Sequence, residues 1–101
     1  MEIVSGEKVK QMQSEGKKLL VQYTASWCGP CRALSPRLEA LSANYPDVTF
    51  VKVDVDQDSE SAMELSVRSV PTIFIYNGNE LINRSTGANV DSVYAKILDT
   101  L

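Results

Sequence analysis

Apolar residues fall into short runs broken by polar residues, Gly and Pro. Leu19, Leu20 and Val21, followed by Tyr23, make Lys18 to Thr24 a strand of the kind covered on both faces. Val48 to Val55 is the clearest strand, because Val51, Val53 and Val55 alternate with Lys52 and Asp54. Thr72 to Tyr76 is another apolar strand. Asn77-Gly78 then signals a hairpin, since both residues tolerate positive φ, and Leu81 to Ser85 returns antiparallel. Met1 to Val4 is a short edge strand.

Helical spacing fills the gaps. Val9 and Met12 share one face of a weak helix from about Gly6 to Glu15, with Gly16 just past its end. Leu34, Leu38 and Leu41 recur in a helix from about Cys28 to Asn44, stopped by Tyr45-Pro46-Asp47 and expected to kink at Pro36. Asp58 or Ser59 caps a short helix to about Leu65 that buries Ala62, Met63 and Leu65. After a break at Gly87, Val90, Val93, Tyr94, Ile97, Leu98 and Leu101 mark the last helix, with Asn89 as its cap. The order β-α-β-α-β-α-β-β-α predicts an α/β fold: a central mixed β-sheet flanked by helices on both faces.

At 101 residues the chain suits one domain, residues 1–101, with a single core. Hydrophobic residues make up 44% and charged residues 23%, an ordinary mixture. The net charge of −3 argues against phosphate-driven nucleic-acid binding. The lack of His removes Ser-His-Asp and Cys-His catalysis and most zinc sites within one chain. No stretch is long and apolar enough to cross a bilayer, and the N-terminus has no basic end followed by an apolar block, so a cytoplasmic protein without membrane contact is expected. Structural disulfides are rare there, and the two cysteines, Cys28 and Cys31, call for another explanation.

Cys28 follows a strand and opens a helix, where unpaired N–H groups and the helix dipole favour thiolate over thiol. Pro30 suits the first helical turn, and Cys31, almost one turn on, brings its sulfur within reach of Cys28. Three other readings compete with a redox pair. A staple closing so small a loop would restrict the unfolded chain by only roughly 2 kcal/mol. Two thiolates make half a zinc shell, the rest of which would need carboxylates or a second chain. Two inert buried cysteines fit poorly with Trp27, Gly29 and Pro30, which read as an exposed turn. The placement between strand and helix favours the redox pair and no metal.

Trp27-Cys28-Gly29-Pro30-Cys31 resembles the thioredoxin family, and the likeness runs through essentially the whole chain. It includes Ala25, Pro36, Val53-Asp54-Val55-Asp56, Arg68-Ser69-Val70-Pro71-Thr72, the Asn77-Gly78 turn and Gly87. The resemblance implies the thioredoxin fold, with Pro71 in the family's cis-proline role and the backbone of Val70 free to pair with an extended substrate strand. It also implies a shallow apolar groove formed by Trp27, Gly29, Pro30, Val70, Pro71, Gly87 and Ala88. Thioredoxins usually carry a buried Asp at the position of Gln22, acting with a Lys that matches Lys52; Thr24 also replaces a frequent Trp. An amide cannot take up that proton. Losing the carboxylate while keeping Lys52 favours the thiolates, shifts the potential in the oxidising direction and slows resolution by Cys31.

The function this implies is disulfide reduction. Cys28 attacks, Cys31 resolves, Gly29 and Pro30 shape the turn, and Lys52 with the helix-end amides tunes the sulfurs. No bound cofactor is needed beyond the redox-active disulfide, and NADPH enters indirectly through a thioredoxin reductase. Partners are disulfide-containing proteins, and a monomer is expected. Glutaredoxins usually place Pro-Tyr between the cysteines, and the strongly oxidising periplasmic relatives commonly place His there. The rival readings are an interaction or holdase subunit on the same fold, and a more oxidising oxidase or isomerase.

Overall fold

The computed structural model describes residues 1–101. Its elements in chain order are β1 (Glu2–Ile3), α1 (Gly6–Ser14), β2 (Lys18–Thr24), α2 (Gly29–Ser42), β3 (Val48–Asp54), α3 (Ser59–Glu64), β4 (Thr72–Asn77), β5 (Glu80–Thr86) and α4 (Asp91–Leu98). The predicted order is the observed one. The five strands form one sheet ordered β1-β3-β2-β4-β5. β1, β3 and β2 run parallel, while β4 is antiparallel to both β2 and β5, so the sheet is mixed.

Strand periodicity divides the core in two. Leu19, Val21, Tyr23, Val51, Val53, Phe74 and Tyr76 face Val9 and Met12 of α1 and Ala62 of α3. On the opposite face Leu20, Val48, Phe50, Ile73 and Ile75 meet Leu34 and Leu38 of α2 and Tyr94 and Leu98 of α4. Helices therefore cover both faces. β2 lies at the centre of the sheet and is buried from Leu19 to Thr24, which is why its sequence is a run rather than an alternation. The strand aims its C-terminal end at the start of α2, where the cysteines lie.

Local expectations are corrected in three places. The hairpin's central residues are Gly78-Asn79, one position later than expected, because Asn77 still pairs with Glu80. Gly78 has φ +59 at the first central position, where the type II′ turn needs glycine. Asn89 does not cap the last helix. Val90 occupies that position without a side-chain bond, while the Asn89 N–H donates to Tyr94 Oη and its carbonyl accepts from Arg37 Nη2, holding it before the helix. Met63 is 78% exposed, and Val90 and Val93 also face outward. α3 spans only six residues and turns Ala62 to the sheet instead. β1 is the short edge strand expected, two residues paired with β3.

Candidate functional site

Cys28 is the N-cap residue of α2, with Gly29 and Pro30 opening the helix. The conformation of Cys28 is extended, as an N-cap requires, and its Sγ accepts the Cys31 N–H at 3.2 Å. A sulfur thus fills the place that a Ser or Asp oxygen takes at other helix starts. Cys28 and Cys31 are joined by a disulfide across a Cα separation of 5.3 Å. Cys31 is fully buried and Cys28 is 4% exposed, in a small cluster with Ala25, Val55 and Val70. Cys28 is the more accessible of the two sulfur-bearing residues, as the attacking partner needs to be. No group of three or more Cys, Asp or Glu side chains is placed to hold a metal ion.

The Val70–Pro71 peptide is cis, and the Val70 carbonyl oxygen lies 3.7 Å from Cys28 Sγ. Pro71 itself is buried, and its carbonyl accepts the Gly87 N–H at 2.8 Å, bringing the β5–α4 loop to the site. Ala88, Gly29 and Pro30 are exposed nearby in the chain. Trp27 is 66% exposed, with its indole N–H donating to Asp56 Oδ2 at 2.8 Å. A hollow of about 120 Å³ is lined by Trp27, Val55, Val67, Arg68, Ser69 and Val70. Of the expected groove residues, Trp27 and Val70 line it. Gly29, Pro30, Pro71, Gly87 and Ala88 do not. Val55 and Val67 supply apolar wall that alternation in the sequence assigns to no groove, because only the fold brings the ends of β3 and α3 beside Trp27.

Gln22 is completely buried beneath α2. Its Oε1 accepts from Ser35 Oγ at 3.0 Å, its Nε2 is 3.5 Å from the Cys31 carbonyl, and Ser35 Oγ is also 2.9 Å from that carbonyl. The amide is thereby satisfied without a charge, and no buried side-chain N or O atom lacks a partner. Lys52 lies opposite Gln22 in the β2–β3 register. With Thr24, Arg32, Ser35, Glu39 and Asp54 it lines a cleft of about 470 Å³ between α2 and β3. The sequence reading missed Ser35, whose role depends on α2 being laid across β2.

A family model for thioredoxin matches residues 3–100. The chain is 40% identical over 96 residues to thioredoxin-1 of Schizosaccharomyces pombe, covering 95% of this chain and 93% of that protein. Among solved structures, Fasciola hepatica thioredoxin is similar with a TM-score of 0.85 and 34% identity, covering 97% of this chain and 96% of that one. The oxidised form of mitochondrial thioredoxin 3 from Saccharomyces cerevisiae also superposes with a TM-score of 0.85, at 33% identity, over 98% of this chain and 93% of its own.

Proposed function

The chain belongs to the thioredoxin family and carries a redox-active Cys28–Cys31 pair, so it is a protein-disulfide oxidoreductase, and from that premise we propose how its residues divide the work. In the reduced protein the Cys28 thiolate attacks one sulfur of a substrate disulfide in line. A mixed disulfide forms, the substrate bond breaks, and the departing substrate sulfur leaves as a thiolate that takes a proton. Cys31, as thiolate, then attacks Cys28 Sγ. The second substrate sulfur departs with its electron pair, and the internal disulfide remains. Two electrons have passed from the Cys pair to the substrate.

The observation that carries this assignment is the Cys31 N–H aimed at Cys28 Sγ at the start of α2. In the dithiol state that donor and the helix dipole favour a negative sulfur on Cys28. The Val70 backbone and the apolar wall of Trp27, Val55 and Val67 receive an extended substrate segment, with Pro71, Gly87 and Ala88 completing the binding surface. Gly29 and Pro30 shape the turn, while Gln22 and Lys52 set the stability of the Cys31 thiolate. We further propose that residues 1–101 work as a single-domain monomer in the cytoplasm, carrying electrons from NADPH through a thioredoxin reductase.

Insulin reduction by dithiothreitol tests the assignment. The protein should accelerate precipitation, and Cys28→Ser should reduce the rate to that of dithiothreitol alone. Cys31→Ser should accumulate the mixed disulfide. If Cys28 alkylates at neutral pH no faster than free cysteine, or Cys28→Ser keeps its activity, the assignment fails. Gln22 specifically favours the more oxidising reading, and equilibration with glutathione measures that shift.

A further inference from the structure

Arg84 lies on β5, opposite Phe74 in the β4–β5 register. Its guanidinium covers the Phe74 ring, with Cζ 4.9 Å from the centroid. The two ends of the fork reach successive carbonyls: Nη1 donates to Leu65 O, and Nη2 donates to Ser66 O at 2.9 Å. These carbonyls lie just past α3, where backbone acceptors run out of helical partners. Ser66 has φ +55, a left-handed conformation disfavoured for a residue with a Cβ. The turn is closed from the other side by the Val67 N–H, which donates to Ala62 O at 2.8 Å.

Immediately beyond this turn come Val67, Arg68, Ser69 and Val70, four of the six residues lining the hollow beside Trp27. The Val70 carbonyl is the one 3.7 Å from Cys28 Sγ. The place where α3 ends therefore sets where this wall begins. Its place over Phe74, a buried ring of the central sheet, refers the fork to the packed core.

We propose that Arg84 is a positioning residue for protein substrates: by holding the Leu65 and Ser66 carbonyls against the sheet, it fixes the Val67–Val70 wall relative to Cys28. The planar fork matters as well as the charge, because an ammonium cannot satisfy both carbonyls while lying flat on an aromatic ring. The proposal rests on the reading of Val70 and its neighbours as the substrate-facing wall. It goes further by making the wall's register depend on a residue of β5 outside the wall.

The test compares Arg84→Met, which keeps a long stem over Phe74 but no fork, with Arg84→Lys, which keeps the charge. Two substrates are used: insulin, which must lie along the wall, and a small aromatic disulfide, which needs only the Cys28–Cys31 pair. For Arg84→Met, KM for insulin should rise about three- to tenfold with kcat held within about twofold. The small disulfide should react at the wild-type rate, and the potential against glutathione should not move. Arg84→Lys should fall between wild type and Arg84→Met, and it carries the comparison if circular dichroism shows Arg84→Met unfolded. An unchanged KM for insulin, equal slowing of both substrates, or a displaced potential would overturn the role of Arg84. Wild-type protein that reduces the small disulfide but not insulin would instead strike the substrate-wall reading itself.

Discussion

At Gln22 an uncharged amide fills a buried position beneath the cysteines. Its amide is buried, satisfied by Ser35 and placed near the Cys31 carbonyl, but it has no carboxylate to accept a proton at working pH. Replacing it with Asp should supply a base next to the resolving cysteine and speed turnover in the insulin assay by about two- to tenfold, less than the ~10²–10⁴-fold of a fully positioned general base. The pH profile of the resolving step should gain a limb belonging to the new carboxyl, and the potential should move in the reducing direction. An unchanged or lower rate at every pH would defeat this account. Cys28, Cys31 and Gln22 were legible from spacing and resemblance, because a nucleophile at a strand-to-helix junction is a local feature. The hydroxyl of Ser35 was not, because its partner is 13 residues away on another element.

Between elements, α1 and α3 meet at Gly6. The Gly6 N–H donates to Asp58 Oδ2 at 2.7 Å, while Asp58 Oδ1 accepts from Ser61 N, so one carboxylate ties the start of α1 to the N-terminus of α3. A Cβ on Gly6 would come within 2.6 Å of the Ser61 Cβ, and nearer still to its hydroxyl. That hydroxyl is paired with Tyr23 Oη at 2.5 Å and cannot turn away without loss. Gly6→Ala should therefore destabilise the fold by about 1–3 kcal/mol. Adding Ser61→Gly should recover part of the loss, and urea denaturation of the two singles and the double measures the coupling. A Gly6→Ala midpoint equal to wild type would show that the helices slide apart at no cost. The existence of both helices was readable from apolar spacing and a capping residue. Their contact was not, since nothing local distinguishes a glycine chosen for close approach from one that merely begins a helix. The outward-facing Met63 has the same cause: apolar spacing identifies a face, but only packing decides which residues a short helix presents to the sheet.

Across the whole molecule, the face between the sheet and α1–α3 holds two buried tyrosines, with Tyr23 edge-on to Phe74 and Phe74 stacked on Tyr76. Burial pushes the Tyr76 hydroxyl up to about 12 from its ordinary 10.0, and burial likewise raises Tyr23. Both favour the neutral, folded state, so this contribution is fully present below pH about 10, where the unfolded chain also keeps its phenolic protons. It declines as pH rises from about 10 through about 12, because the unfolded tyrosines ionise first. Thermal midpoints should fall steeply across that window, and Tyr76→Phe should flatten the decline. A wild-type midpoint constant over the window would rule this out. The amino-acid order by itself determined the succession of strands and helices, the mixed sheet and the pairing of two reactive cysteines, because periodicity, turn chemistry and helix-start electrostatics act over a few neighbouring residues. Only the tertiary structure decided which apolar residues wall the hollow, how an uncharged amide is satisfied beneath the cysteines, and which arginine anchors the loop above them. Those outcomes depend on contacts between segments brought together by burying both faces of one sheet, and no local pattern encodes that proximity.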